Sequence, residues 1–191
     1  MLENFIKSLE KSVLTNINGH DYIINPVLDG IPLYESIFLE EIVEAINYKL
    51  NLSNIDKIIG IESMGIPLAT ALSLETKIPF NIIKKKKMNL DEEISVSQVT
   101  GYSKEKLYIN YLNKGDKVLI IDDIVDTGGT LIAIINALKN IGVEILHIIT
   151  PIERSNGKQL VEKETGFSIL TFIRLDIVDG EIKVKSLIDN L

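Results

Sequence analysis

Residues 118–130, VLIIDDIVDTGGT, place two adjacent carboxylates, Asp122 and Asp123, just ahead of a threonine and glycine loop running from Thr127 to Thr130. Gly128 and Gly129 let backbone N–H groups approach phosphate oxygens closely, and the hydroxyls of Thr127 and Thr130 add donors. Carboxylates beside that same phosphate would repel it. One sugar's length away they instead accept hydrogen bonds from two neighbouring hydroxyls and stand near a divalent cation. A phosphate at one end and a vicinal diol in the middle describe a ribose 5-phosphate. The plainer alternative is a strand ending in solvated carboxylates before an ordinary glycine-bearing turn. The chain contains neither G-x-x-x-x-G-K-[ST] nor G-x-G-x-x-G, so two common phosphate loops are excluded.

The flanking residues say what must hold this loop. Val118 to Ile121 is an unbroken apolar run suited to a strand buried on both faces, ending at Asp122. Thr130 to Asn136, TLIAIIN, has helical character, so the chain passes from strand to helix through DDIVDTGG. In open α/β sheets ligands collect at such junctions, where helix N-termini offer unpaired N–H groups to an anion. A second junction follows the strand Lys57 to Ile61, where Glu62, Ser63 and Met64 lead into a helix over Gly65 to Leu74. It is either an ordinary turn or a second anion site. Phe80 to Ile83 reads as a third strand, and Lys84 to Lys87 leave its carboxyl end. A lysine run is commonly a solvated face, but here at least one lysine is placed to reach an anion.

The spacing elsewhere predicts a helix from Leu2 to about Leu14, an extended piece at Tyr22 to Asn25, turn chemistry in LDGIP and a helix from about Leu33 to Tyr48. Residues 88–105 are mostly polar and include Gly101-Tyr102-Ser103. They predict a mobile two-stranded flap with arms over Glu93 to Gln98 and Lys106 to Asn110. A helix from Gly128 to about Asn140 stops at Gly142, and Val143 to Thr150 is a strand. A short helix over residues 155–165 stops at Gly166, and Ser168 to Ile173 is a further strand. Asp179-Gly180 between DIV and EIKV signals a hairpin.

A chain of 191 residues with 46% hydrophobic content suits one domain with a substantial core. A net charge of −7 disfavours wholesale nucleic-acid binding, since duplex affinity rests on Lys and Arg. With no cysteine there is neither disulfide nor thiolate chemistry, which fits a cytoplasmic location. The opening MLENFIKSLEKS is broken by charges and does not read as a signal peptide, and no apolar run approaches a membrane span of ~20 residues. Neither His20 nor His147 has metal-ligand spacing.

The 118–130 stretch resembles the phosphoribosyl-pyrophosphate (PRPP) signature of type I phosphoribosyltransferases. The likeness runs through YIINPVLDGIPL, IIGIESMGIPLATALSL, ISVSQVTGYSKEKLYIN, KGDKVLIIDDIVDTGGT and IERSNGK. It is strongest to an archaeal hypoxanthine/guanine branch of the adenine phosphoribosyltransferase-like fold. The resemblance implies an α/β domain over residues 1–191, with a central, mainly parallel sheet flanked by helices, a flap at about 84–110 and a small hood over the base. It implies transfer of ribose 5-phosphate from PRPP to hypoxanthine or guanine, giving IMP or GMP and pyrophosphate, with Mg²⁺ and in a homodimer. Adenine as substrate, or a non-catalytic PRPP-sensing regulator, are the alternatives; a regulator of this kind needs a DNA-binding domain, and here a single helix precedes the core.

Residue by residue, the resemblance puts Asp122, Asp123, Asp126, Thr127, Gly128, Gly129 and Thr130 on PRPP, with Mg²⁺ at Asp122 and Asp123 through PRPP or water. Glu62, Ser63, Met64, Gly65 and Lys85 take pyrophosphate, and Tyr22, Ile124 and Val125 take the base. Tyr22 reads otherwise as a packing residue. Lys85 and Asp126 are the catalytic candidates. Asp126 is either the acceptor of a purine proton or merely the cap of the helix beginning at Thr127 or Gly128. Two departures stand out: the family's K-L-P-G-E appears as Asn89 to Glu93, NLDEE, and the residue before Tyr102 is Gly101 where adenine enzymes carry glutamate.

Overall fold

Alternation along two short strands organises the molecule into two cores. The computed structural model describes residues 1–17, 19–99 and 104–188. In chain order these form α1 (Glu3–Glu10), β1 (Val13–Ile17), β2 (His20–Ile24), α2 (Pro26–Asp29), α3 (Ser36–Lys49), β3 (Lys57–Ile61), α4 (Gly65–Thr76) and β4 (Phe80–Ile83). Next come β5 (Ile94–Val99), β6 (Lys104–Ile109), β7 (Lys117–Ile121), β8 (Ile124–Val125), α5 (Gly129–Ile141) and β9 (Glu144–Ile149). The chain closes with β10 (Ile152–Glu153), α6 (Gly157–Thr165), β11 (Ile173–Val178) and β12 (Glu181–Ser186).

Four strands make a parallel sheet in the order β4-β3-β7-β9. Successive side chains point to opposite faces. Ile58, Leu119 and Ile121 therefore meet Phe5, Ile42, Ile46, Leu68 and Leu72 from α1, α3 and α4. Ile59, Ile61, Val118 and Ile120 meet Leu131, Ile134, Ile135 and Leu138 of α5 on the other side. Fully burying each such side chain contributes about 1.5–3 kcal/mol, so the sheet is held from both faces. A second sheet, β12-β11-β10-β8, continues beyond the carboxyl end of the first. It is parallel through β8, β10 and β11, and antiparallel at β11/β12. That last hairpin turns at Asp179-Gly180, both at positive φ (53° and 76°), as its two-residue loop requires.

Several expected boundaries move. The first helix stops at Glu10, and Val13 and Leu14 belong to β1, because residues 13–17 pair with β2. LDGIP does not turn at once: Pro26–Asp29 forms one helical turn, capped by the Asn25 side chain accepting from Val27 N–H at 2.9 Å and ended at left-handed Gly30. The next helix starts at Ser36 rather than Leu33. Ser168 to Ile173 is not a strand: Leu170 makes a single bridge to Ile149, and β11 begins at Ile173. The flap is present as the β5/β6 hairpin, and it is not freestanding. Val96, Leu107 and Ile109 are buried against the α5 face. The Gly101-Tyr102 pair lies outside the described residues.

Candidate active site

The carboxyl ends of β3 and β7 lie side by side, and the loops leaving them meet over a glycine. A Cβ on Gly65, at the start of α4, would sit 2.7 Å from the Ile121 carbonyl oxygen and 3.2 Å from Asp122 Oδ1. Gly60 within β3 is equally confined, 2.9 Å from Ala69 Cβ. Side chains are excluded along this seam, so the N-terminus of α4 comes down directly onto the acid pair. A cavity of about 260 Å³ opens there, lined by Leu28, Ile61, Glu62, Ser63, Met64, Lys85, Asp122, Asp123 and Thr130. No acceptor among the described residues takes the N–H of Ser63 or Met64. A larger hollow of about 820 Å³ lies between α3 and α4, lined by Glu40, Glu44, Tyr48, Leu74 and others, away from this chemistry.

The charges in the cavity are poorly compensated. Burial and then the neighbouring charge of Asp123 push Asp122 well above the ordinary carboxylate range. Burial likewise raises Asp123, to about 6. Both residues are partly open to solvent through the cavity mouth, while dense protein on the remaining sides supplies the desolvation. Lys85 is the cation opposing this, pulling Asp122 downward. Its place is set by backbone contacts: Lys85 N–H donates to Glu62 Oε2 at 2.8 Å, and one residue earlier Lys84 exchanges two backbone hydrogen bonds with Tyr108. Glu62 therefore joins the first loop to the root of the flap, and the Glu62–Ser63 peptide is cis.

The second loop does not run straight from strand to helix. After Asp123 the chain adds the two-residue strand β8, pairs with β10, and only then enters α5 through Gly128 at φ 79°. Gly128 is packed so that a Cβ would lie 2.8 Å from Gly157 O, and one on Gly157 would fall 2.1 Å from Asp126 O. Asp126 does not cap α5. The helix starts at Gly129 with Gly128 at the cap and no side-chain cap hydrogen bond. Its carboxylate instead accepts from the Ser155 hydroxyl at 2.6 Å, with Arg154 Nη1 at 3.9 Å.

These features have counterparts in known proteins. The family model for the phosphoribosyl transferase domain matches residues 34–178. The chain belongs to the phosphoribosyltransferase family. A relative from Methanothermus fervidus named hypoxanthine/guanine phosphoribosyltransferase is 51% identical over 184 residues, covering 96% of this chain and 97% of that one. A Methanobrevibacter ruminantium protein of the same name is 45% identical, covering 98% and 100%. Among solved structures, the adenine phosphoribosyltransferase of Thermoanaerobacter pseudethanolicus matches with a TM-score of 0.74 at 22% identity, over 91% of this chain and 99% of that one. The Giardia lamblia enzyme complexed with 9-deazaadenine gives 0.72 at 21%, covering 91% and 98%. At those identities the likeness is one of fold.

In this phosphoribosyltransferase the expected pyrophosphate and ribose residues thus come together around one cavity, whereas the three base candidates are scattered. Tyr22 sits on β2 with 41% of its surface exposed and is not a core packing residue. Ile124 is half-buried against the first core, and Val125 is 2% exposed within the second, with its carbonyl taken by Arg154 N–H at 2.9 Å. Neither Asp126 nor Thr127 lines the cavity; Thr130 does. Reading the residues missed Leu28, which lines the cavity from α2, and Tyr34, whose hydroxyl is buried without a partner and kept protonated by burial and the charge of Asp123. It also missed the turn at 153–157, whose only advance signal was Asn156-Gly157 before a helix.

Proposed function

We propose that this phosphoribosyltransferase is a purine salvage enzyme that moves ribose 5-phosphate from PRPP to hypoxanthine or guanine, releasing pyrophosphate, as one catalytic unit over residues 1–191. The observation that carries the reading is the acid pair, raised by burial and sharing one small cavity with Ser63, Met64 and Lys85. Relatives at 42–51% identity bearing the hypoxanthine/guanine name support the choice of base. The reading extends to a cytoplasmic homodimer that binds neither nucleic acid nor membrane; among the described residues no helix is long and apolar enough to cross a bilayer.

Asp122 and Asp123 accept hydrogen bonds from the ribose hydroxyls. Among the described residues no cluster of three or more ligating side chains occurs. The pair therefore fits Mg²⁺ shared with ligand oxygens or water rather than a closed protein cage. When bound, Mg²⁺ neutralises charge on the pyrophosphate. As the bond from C1 to pyrophosphate breaks, negative charge grows on the leaving group, where Lys85 and the amides of Ser63 to Gly65 stabilise it. The loop from Thr127 to Thr130 holds the 5-phosphate at the start of α5, and the flap shields the developing cation from water. Asp126 accepts the purine proton as the ring nitrogen attacks C1.

Turnover of hypoxanthine, guanine, xanthine and adenine with PRPP and Mg²⁺ tests this directly. Activity on hypoxanthine or guanine well above adenine is expected. Efficient adenine turnover with none on hypoxanthine overturns the base, and PRPP-dependent thermal stabilisation without turnover of any base makes the protein a regulator.

A further inference from the structure

The turn that follows β10 grips the phosphate loop at every level of structure. Arg154 N–H donates to Val125 O at 2.9 Å. Gly157 leaves no room for a side chain against Asp126 O, and Gly128 none against Gly157 O. Among the described residues a side-chain hydrogen bond joins the two sides of this seam from Ser155 Oγ to Asp126 Oδ1, and at 2.6 Å it lies in the range of a hydroxyl on a carboxylate. Ser155 reaches it from a left-handed backbone, φ 52°, a conformation that a non-glycine residue holds only when its surroundings impose it. Arg174 Nη2 donates to the Ser155 carbonyl at 3.1 Å, and the same guanidinium is fixed by Glu153 and by both oxygens of Asp176.

A carboxylate with one oxygen tied has one orientation. With Oδ1 held by Ser155, Oδ2 of Asp126 has no hydrogen-bond donor within reach among the described residues, only Arg154 Nη1 at 3.9 Å. That oxygen is the one left to accept a proton, and the Ser155 bond sets where it points. We propose that Ser155, held by the Arg174–Glu153 network, is a positioning residue that orients the Asp126 carboxylate toward the base. The proposal rests on the reading of Asp126 as proton acceptor.

The test is a double-mutant cycle in the full chain with PRPP, Mg²⁺ and the preferred purine. Ser155→Ala removes the hydroxyl, and Ser155→Gly removes it while also relieving the left-handed backbone, so a folding defect in the first does not end the experiment. Loss of a charge-assisted bond lowers kcat about tenfold in both, with the KM for PRPP within about twofold of wild type. In an Asp126→Asn background the same substitutions cost less than about twofold further, because the group they orient is gone. Wild-type kcat in the Ser155 variants beside an impaired Asp126→Asn overturns the positioning role and leaves Asp126 standing. An undiminished Ser155 effect in the Asp126→Asn background also overturns it, since the serine then acts on the backbone alone. Full activity of Asp126→Asn removes the reading beneath both.

Discussion

Two acidic sites a short way apart in the fold meet opposite fates. Asp122 and Asp123 stand together with Lys85 as the opposing cation; burial pushes both above the ordinary range, and the charge of Asp123 adds to the rise of Asp122. Glu153, 6% exposed, is as enclosed, and burial alone would raise it too. There the Thr171 hydroxyl at 2.6 Å, Lys158 at 3.3 Å and Arg174 at 3.3 Å outweigh burial and hold it below the usual value. The first cluster is unfinished and the second complete. A fold that completes one buried charge has the means to complete another, and it leaves these two carboxylates facing an open cavity.

Removing the unfinished charges should therefore hurt binding and help the fold. Asp122→Asn with Asp123→Asn is expected to weaken PRPP binding by at least about a hundredfold in calorimetry with Mg²⁺, since two charge-assisted acceptors are lost at roughly 1.5–3 kcal/mol each. Melting of the ligand-free double mutant is expected at or above the wild-type temperature. Unchanged PRPP affinity would break the comparison at its first member.

Lys85 tests the same cavity from the other side. If it stabilises pyrophosphate chiefly as the bond to C1 breaks, Lys85→Ala lowers kcat by at least about tenfold and raises the KM for PRPP by less. An intact kcat would move the lysine out of the chemistry.

The finished cluster gives the smaller effect. Glu153→Gln should cost roughly 1–2 kcal/mol of stability, because it leaves Lys158 and Arg174 without their carboxylate, while PRPP affinity stays within about twofold. The two clusters also answer pH with opposite signs. Glu153 is lowered in the fold, so its contribution is present above its unfolded pKa and lost as pH falls through the folded value. Asp123 is raised to about 6, so its ionisation weakens the fold as pH rises from about 4 through 6 and the penalty is constant above that. The melting advantage of the double asparagine mutant should consequently be small at pH 4 and larger at pH 7, and that of wild type over Glu153→Gln should shrink on acidification. Parallel curves for the two mutants would show that the clusters do not differ in this way.

Much of the fold follows from residues near one another in the chain. KIIGI and FNII are the strands their apolar runs suggest, VLII fills all but the first residue of β7, and Gly142 and Gly166 end helices in the left-handed conformation. Asp179-Gly180 turns as such a pair must. The acid pair and the glycine loop stood out for the same reason: DD and TGGT sit within nine consecutive residues.

What periodicity could not settle depended on partners far along the chain. Val13 and Leu14 continue a helical pattern, yet they are strand residues because β2 offers their backbone a ladder. Two-residue strands such as β8 and β10 carry no pattern at all; β8 exists because β10 supplies its hydrogen bonds, and β10 because β8 and β11 flank it. Ser168 to Ile173 had the apolar character of a strand without a neighbour to pair with along its length. Asp126 is the sharpest case. Aspartate just before a helix suits a cap, and only the return of the chain at Ser155, 29 residues later, turns its carboxylate aside. Local spacing decides what a segment is able to form and which chemistry its side chains carry; the direction in which a carboxylate points is set by whichever donor the fold brings nearest, and that donor is invisible until the strands have paired.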